Sequence, residues 1–282
     1  MGDRESGAAV TTVIFRVQRY APEDGAGSRV VEYRVPVADG MTVLDGLIHV
    51  KERLDGSLSW RASCRMGICG SCGMWINGRP RLACQTQVAE LGTGVVQVRP
   101  LPNFPVIRDL VPDLGSMIEK HRGIRPYLLR RDLDELERPT AEYTQTPADM
   151  ERYVQFAYCI KCGCCMGACP TLATDVRYLG PQPLSQAHRY NADTRDDGFE
   201  ERREVVSASA GVWRCHFAGE CSEVCPKGVD PALAIQRVKR ELVFHVLRLR
   251  RRPTPAPLAP PAAGLERRPG IPEPPPPTAG TL

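Results

Sequence analysis

The twelve cysteines of this 282-residue chain fall into three tight groups, at positions 64–84, 159–169 and 215–225. Disulfide-stabilised domains contain more than roughly 8% cysteine and spread it along the chain, whereas metal sites bunch it. The N-terminus, with acidic Asp3 and Glu5, has no basic segment leading into an apolar core and does not resemble an export signal. We therefore expect a reducing compartment, in which the cysteines bind metal as thiolates.

The remaining composition is ordinary for a soluble globular protein of about two domains, with 42% apolar and 25% charged residues. No stretch approaches the roughly 18 apolar residues of a membrane span, so none is expected. Part of the net charge of +4 comes from a local basic patch, since Arg237–Arg252 contains seven basic residues and one acid, Glu241. This patch fits a position near anionic lipid headgroups, or a solvated helix end, better than a nucleic-acid-binding surface.

Residues 10–106 are predicted to form a small mixed sheet with one helix. Two segments, 13–17 and 31–37, alternate apolar and polar residues with the period of half-buried strands. Asn77 and Gly78 predict a hairpin turn.

Two helices are well signalled. A capping box at Thr42 and Asp45 begins the first, and Asp230 with Pro231 begins the last. Their predicted apolar faces are Leu44, Leu47, Ile48 and Leu54 in the first helix, and Ile235, Val238, Leu242, Val246 and Leu249 in the last.

Composition divides the chain into segments. The middle of the chain is rich in prolines and charged residues and has no sustained period, which predicts a connector. Beyond Arg252, eleven of the thirty residues are proline, which predicts a disordered tail. The expected segments are a flexible N-terminus at 1–9, a domain at 10–106, a connector at 107–146, a mainly helical domain at 147–250 and the disordered tail at 251–282.

The first cysteine group has the spacing of plant-type 2Fe-2S ferredoxins, Cys64-x4-Cys69-x2-Cys72-x11-Cys84. Gly67, Gly70 and Gly73 would let the backbone curl round a cluster and direct N–H groups at its sulfur atoms. A structural zinc site is the alternative, but its usual signature is two C-x2-C hooks and this group has one. The spacing therefore favours a 2Fe-2S cluster.

The second and third groups are one motif repeated. The second has the bacterial ferredoxin spacing, in which the fourth cysteine binds the other of two clusters: Cys159-x2-Cys162-x2-Cys165-x3-Cys169-Pro170. Adding 56 to these positions gives Cys215, Cys221, Cys225 and Pro226, but Cys162 maps to Ala218. The sequence therefore contains an internal duplication in which one cysteine is missing.

The missing cysteine predicts two different clusters. Under the crossing rule, four thiolates are available for a 4Fe-4S cluster, from Cys159, Cys162, Cys165 and Cys225. Only three remain for the partner, from Cys169, Cys215 and Cys221, which predicts a 3Fe-4S cluster because alanine is not a ligand. Fewer thiolates predict a higher reduction potential there, and Cys164, in neither set, is expected to be a small buried side chain.

With these motifs, the sequence resembles the iron-sulfur subunit of the succinate dehydrogenase and fumarate reductase family. The resemblance extends from about residue 11 to residue 245. The stretches that carry it are C-R-M-G-I-C-G-S-C-G at 64–73, N-F-P-V-I-R-D-L-V at 103–111, C-I-K-C-G-C-C-M-G-A-C-P at 159–170, A-H-R-Y-N at 187–191 and G-V-W-R-C-H-F-A-G-E-C-S-E-V-C-P-K at 211–227.

The resemblance implies an α+β fold: an N-terminal β-grasp 2Fe-2S ferredoxin-like domain, then a mainly helical bacterial-ferredoxin-like domain with two clusters. It also implies an electron-transfer subunit of a membrane-bound succinate:quinone oxidoreductase. In that family a flavoprotein subunit holds covalent FAD and the dicarboxylate site, and quinone lies at the membrane anchor subunits. We expect this chain to lie peripherally on the cytoplasmic face of the cell membrane and to bind no nucleic acid.

For the quinone, the resemblance points to Pro170, His216, Gln236 and Lys239. Each has an alternative role that does not involve quinone. Lys239 could belong to a solvated basic face, and His216 could form a hydrogen bond near the cluster and nothing more. Ubiquinone-reducing members have tryptophan where Thr174 stands here, which favours menaquinone. Succinate oxidation and fumarate reduction are both compatible with the motifs.

Two other functions fit the cysteine pattern. One is a stand-alone soluble carrier, with fused plant-type and bacterial-type domains, that serves another flavoenzyme. The other is a zinc-stabilised interaction protein.

Overall fold

The computed structural model describes residues 12–92, 94–249 and 258–259. In that part of the chain, no helix combines the length and apolar character needed to cross a bilayer. The strands are β1 (Thr12–Arg19), β2 (Arg29–Pro36), β3 (Gly73–Ile76), β4 (Arg79–Leu82), β5 (Val95–Arg99), β6 (Val106–Arg108), β7 (Val111–Pro112), β8 (Glu142–Tyr143) and β9 (Leu258–Ala259). The α-helices are α1 (Val43–His49), α2 (Gly115–Gly123), α3 (Leu133–Glu137), α4 (Pro147–Glu151), α5 (Val154–Ala157), α6 (Cys164–Gly167), α7 (Pro170–Thr174), α8 (Pro181–Asn191), α9 (Phe199–Ser207), α10 (Glu220–Glu223) and α11 (Pro231–Val246).

The N-terminal sheet is mixed, with strand order β2-β1-β5-β3-β4. β1 pairs antiparallel with β2 and parallel with β5, and its inward residues Val13, Phe15 and Val17 are buried. β3 and β4 form a hairpin whose turn residues, Asn77 and Gly78, have φ of 42° and 90°, as that turn type requires. The predicted strands, hairpin and α+β class are confirmed.

Helix α1 begins at the predicted capping box. Thr42 Oγ1 accepts the N–H of Asp45 at 3.2 Å, and Asp45 Oδ2 accepts the N–H of Thr42 at 2.9 Å. Gly46 lets the helix approach β1, because a Cβ at this position would lie 2.2 Å from the Phe15 ring. The helix therefore packs directly on the sheet.

The predicted burial of Leu54 is wrong. After α1 the chain continues as a π-turn over Val50–Leu54, closed by a 2.7 Å hydrogen bond from the N–H of Asp55 to the Val50 carbonyl. The wider turn rotates the side chains at its end about the helix axis, and Leu54 is consequently 50% exposed. Val50, at the start of the turn, lies on the same helical face as Val43 and Leu47 and is buried with them.

The expected connector at 107–146 is folded and packs on both halves of the molecule. Helix α2 lies against α8 and buries Met117 and His121. Asp109, 1% exposed, accepts hydrogen bonds from Arg19 Nε at 3.0 Å and from the N–H of Ser59 at 2.9 Å. This segment thus fastens the sheet domain to the helical one.

The helical domain is organised by α8 and α11, which pack along each other. Asp230 caps α11 by accepting the N–H of Leu233 at 2.9 Å, as predicted. Ile235, Val238 and Leu242 are buried, but the predicted apolar face is wrong at Val246 and Leu249, which are 77% and 64% exposed. Val246 is the last residue of α11, and Leu249 lies beyond the helix, so neither continues the buried face.

Most of the two predicted flexible ends lies outside the described residues. The N-terminal segment 1–9 lies there entirely. In the proline-rich tail, Leu258–Ala259 pairs antiparallel with Glu142–Tyr143, so these two residues form a short strand where the sequence predicted disorder.

Replacing Arg19 with leucine should lower the free energy of unfolding by about 3–5 kcal/mol, because the buried Asp109 carboxylate would lose its counterion. Arg16→Leu is the matched control on the same strand, since Arg16 pairs with Glu32 where the two side chains are 45% and 52% exposed. We expect that control to cost less than about 1 kcal/mol. Denaturant unfolding of the iron-loaded protein measures both, and equal losses would contradict the assigned role of Arg19.

Candidate metal centres

The first cysteine loop, residues 64–73, directs backbone N–H groups at its own sulfur atoms. The N–H groups of Ile68 and Cys69 each donate to Cys64 Sγ at 3.2 Å, and the N–H of Cys64 donates to Cys69 Sγ at 3.5 Å. The hydrogen bond from the Cys64 backbone, with help from Ser71, lowers the pKa of Cys69 to about 6. This loop therefore favours thiolate, the form that binds metal.

The other two predicted ligands of this group are buried. Cys72 is 3% exposed, and Cys84 is 7% exposed in the turn that follows β4. Burial raises the pKa of Cys72 to about 12, and the charges of the neighbouring Cys84 and Cys69 thiols act in the same direction. Binding to metal would remove the proton that burial retains.

Two glycines place the first cysteine loop against the second cysteine group. A Cβ on Gly70 would lie 3.0 Å from Cα and Cβ of Cys162, and one on Gly73 would lie 2.8 Å from the Cys162 carbonyl oxygen. Gly70 also has φ of 73°, which L-residues rarely adopt. Glycine is thus required where two predicted cluster sites meet.

The internal duplication is visible in the backbone. Gly163 and Gly219, 56 positions apart, both have φ of 84°, and Lys161 and Phe217 have φ of 54° and 59°. α6 and α10 begin one residue after the two glycines. The left-handed conformation at Phe217 lets its N–H donate to Cys215 Sγ at 3.4 Å. At the first repeat, burial raises the pKa of Cys159 and the backbone of Lys161 opposes that rise.

One cavity is lined by the four thiols of the larger predicted set, and we call it the tetrathiol cavity. Its cysteines are Cys159, Cys162, Cys165 and Cys225. Cys225 comes from the third group, so the chain brings together the crossed combination that the sequence predicted. Burial, followed by the charges of Cys162 and Cys159, raises the pKa of Cys165 well above its ordinary value.

A second cavity, the trithiol cavity, is lined by Cys169, Cys215 and Cys221. Ala218, the repeat counterpart of Cys162, lines the same cavity. Burial raises the pKa of Cys221 to about 11, and the charges of Cys169 and Cys215 add to that effect. The position of the missing cysteine therefore faces the site that has three thiols.

The chemistry of these donors fits iron-sulfur clusters. All twelve cysteines are free thiols, and backbone N–H groups point at several of their sulfur atoms. Within the described residues, no three His, Cys, Asp or Glu side chains are close enough to hold a single metal ion. Iron and sulfide ions lie between the thiolates of a cluster, so cluster ligands stand farther apart than the ligands of one zinc ion.

The predicted quinone residues lie at or near the trithiol cavity. Pro170 and His216 line it, and Lys239 Nζ donates to the Cys215 carbonyl at 2.9 Å. Gln236 lies one helical turn before Lys239 on α11, and its buried Nε2 has no hydrogen-bond partner among the described residues.

Sequence reasoning missed two residues at these sites. Asn103, with φ of 65°, donates from Nδ2 to the carbonyls of Met166 at 2.9 Å and Cys169 at 3.0 Å, and so holds the second cysteine loop. Its only sequence signal is its place in the N-F-P stretch. Tyr178, 1% exposed, lines the trithiol cavity and belongs to no motif or spacing.

Two family models match the chain. One, described as a 2Fe-2S iron-sulfur cluster binding domain, matches residues 14–119. The other, described as a 4Fe-4S dicluster domain, matches residues 155–229. The first contains all four cysteines of the first group, and the second contains the duplicated motif.

Proteins of similar sequence or structure align with most of this chain. The fumarate reductase iron-sulfur subunit of Mycobacterium tuberculosis is 48% identical over 84% of this chain and 95% of its own length. The subunits of the same name from Haemophilus influenzae and Escherichia coli are 45% and 44% identical, over 91% and 94% of their lengths. Among solved structures, a chain of the Mycobacterium smegmatis Sdh1 complex in the apo form has a TM-score of 0.72 at 31% identity, covering 84% of this chain and 98% of that one.

Gly70→Ala should disturb the contact between the first cysteine loop and Cys162. We expect it to cost about 1–3 kcal/mol of folding free energy more than Gly78→Ala, because the added methyl group overpacks the contact. Gly78 is the matched control, since it also has positive φ, 90°, but has nothing within 4 Å of an added Cβ. Chemical unfolding with iron analysis compares the two variants, and equal stability would show that Gly70 makes no critical contact.

Proposed function

The chain belongs to the family of fumarate reductase and succinate dehydrogenase iron-sulfur subunits, and we propose that it passes electrons between a flavoprotein subunit and quinone through three clusters. It is an electron-transfer subunit of an oxidoreductase complex, and its domains are of the 2Fe-2S and 4Fe-4S dicluster kinds. When bound, the clusters supply one-electron redox centres whose potentials the protein sets. FAD and the dicarboxylate site are assigned to the partner flavoprotein.

The proposed ligand sets follow the three groups of thiols. The 2Fe-2S cluster is assigned to Cys64, Cys69, Cys72 and Cys84; the 4Fe-4S cluster to Cys159, Cys162, Cys165 and Cys225; and the 3Fe-4S cluster to Cys169, Cys215 and Cys221. The observation that carries the last two assignments is the crossing: Cys225 lines the tetrathiol cavity, and Cys169 lines the trithiol cavity. The 3Fe-4S assignment is supported by the position of Ala218 at that cavity.

Quinone is proposed to bind beside the trithiol cavity. His216 and Lys239 supply N–H donors that could hydrogen-bond a quinone oxygen and move a proton to it, and Gln236 supplies a third donor. Pro170 shapes the cavity wall next to Cys169. Thr174, in place of the tryptophan of ubiquinone-reducing relatives, favours menaquinone.

Exposed apolar side chains at the two ends of this path suit partner subunits. Met66 and Ile68, 66% and 56% exposed, lie on the first cysteine loop, where we place the flavoprotein. Trp213 and Phe217, 52% and 59% exposed, flank Cys215, where we place the membrane anchor. Exposed aromatic residues near a basic helix suit a membrane interface. The proposed location is therefore peripheral, on the cytoplasmic face of the cell membrane.

The decisive experiment is anaerobic EPR of the purified native complex during a redox titration. We expect three cluster signals, one of them from an oxidised 3Fe-4S cluster, and about nine iron atoms per chain. The subunit should co-purify with a covalent-FAD flavoprotein and anchor subunits. Isolation of the chain without these partners would instead support a soluble carrier, and a colourless preparation would support a zinc protein.

Ala218→Cys should restore the fourth thiolate of the trithiol cavity. We expect the 3Fe-4S EPR signal to be lost or converted to that of a 4Fe-4S cluster of lower potential, because an added thiolate brings negative charge and binds a fourth iron. Ala218→Ser is the matched control of nearly the same size. If both variants keep the parent spectrum, the alignment of the two repeats is wrong.

Lys239→Leu should slow electron transfer between the clusters and quinone while leaving the three EPR signals unchanged. Loss of an ammonium donor from the proposed pocket is expected to reduce kcat/KM for quinone by about 10- to 100-fold, within the usual range for a proton-transfer group. Arg240→Leu, at the exposed neighbouring position, is the control and should have little effect. Steady-state assays with a soluble menaquinone analogue measure kcat/KM for both variants. Equal values for Lys239→Leu and the control would show that Lys239 is not part of the quinone pocket.

A further inference from the structure

Tyr178 is held rigidly at the trithiol cavity. It lies between α7 and α8, is 1% exposed and lines the cavity with Cys169 and Cys215. Its N–H donates to the Asp175 carbonyl at 3.1 Å, and its own carbonyl accepts Lys120 Nζ at 2.6 Å. These hydrogen bonds fix the backbone from which the phenol ring reaches the cavity.

Burial raises the pKa of Tyr178, and the charges of Cys215 and Cys169 act in the same direction, so the phenol lies beside these sulfur atoms in the cavity that all three side chains line. Cys215 Sγ accepts the N–H of Phe217 at 3.4 Å, and the Cys215 carbonyl accepts Lys239 Nζ at 2.9 Å. A hydrogen bond to sulfur from a buried hydroxyl is little weakened by solvent, because the local dielectric is low.

The repeat counterpart of Cys215 has a different donor. Cys159 lies 56 positions earlier, and its sulfur is approached by Gln182 Nε2 at 4.0 Å, the outer limit for a hydrogen bond to sulfur. Gln182 Nε2 also lies 3.1 Å from His121 Nδ1, so it is not dedicated to the thiol. The duplicated loops thus share a backbone, but a buried phenol lies in the cavity of one of the two equivalent sulfur atoms and a side-chain amide approaches the other.

We infer that Tyr178 is a positioning residue that raises the reduction potential of the cluster at the trithiol cavity by hydrogen-bonding its Cys215 ligand. This inference rests on the proposed assignment of Cys215 as a ligand. Reduction adds negative charge to the cluster and its thiolates, and a donor stabilises that charge more in the reduced form than in the oxidised form. A phenol donor at Cys215 therefore adds to the effect of the missing cysteine and directs electrons towards the quinone end.

The test is Tyr178→Phe in the intact complex, which removes one hydroxyl and keeps the ring. During an EPR redox titration, the ratio of oxidised to reduced cluster at a fixed potential should rise about tenfold, equivalent to about 59 mV for a one-electron couple. The midpoint potential therefore falls. A strongly coupled exchangeable proton of the oxidised signal, seen by electron-nuclear double resonance in deuterated buffer, should also disappear.

Tyr158→Phe is the matched control. It removes the same hydroxyl from a 58% exposed side chain next to Cys159, and should leave the midpoint potentials unchanged. An unchanged midpoint in Tyr178→Phe, with the signal intact, would overturn the role of Tyr178 and leave the proposed function standing. Selective loss of the trithiol signal would also overturn it, since a tuning donor is not needed for assembly. Absence of that signal from the unmodified complex would instead refute the proposed function.

Discussion

Desolvation of cysteine thiols is the constraint on which the rest of the structure depends. Most of the thiols at the three sites are buried or half-buried, and burial raises the pKa of several of them, to about 12 at Cys72 and about 11 at Cys221. A buried thiolate is unfavourable unless positive charge or hydrogen-bond donors compensate it. Metal supplies the charge, and the loops supply backbone N–H groups. The unusual φ values of these loops follow from that second requirement.

The duplication shows how one backbone can serve two different centres. The pairs Gly163 and Gly219, and Lys161 and Phe217, reproduce the same left-handed conformations, which aim N–H groups at sulfur atoms. The difference lies in the side chains, where Ala218 replaces a thiolate. In the proposed assignment one loop geometry therefore carries two charge environments, and a difference in charge environment predicts a difference in reduction potential.

The sheet and helical domains hold the sites in register through specific polar contacts rather than through a large shared apolar surface alone. Asn103 hydrogen-bonds the backbone of the second cysteine loop, and Asp109 joins the same segment to Arg19 of the sheet. Gly70 and Gly73 then allow the first loop to touch Cys162. The three cysteine sites, which come from distant parts of the chain, are therefore neighbours because the segment following the sheet is folded.

The sequence alone predicted which sulfur atoms bind metal and how they are grouped, because cysteine spacing and the interval of 56 residues are local properties of the chain. It also determined α1, the β3–β4 hairpin and the start of α11, where capping and turn residues act on their immediate neighbours. Only the tertiary structure decided that Leu54 is exposed, that Val246 is exposed, and that Tyr178 and Cys215 line one cavity. Those outcomes depend on a π-turn, on where α11 ends and on contacts between residues far apart in the chain, and none of these has a periodic signal in the sequence.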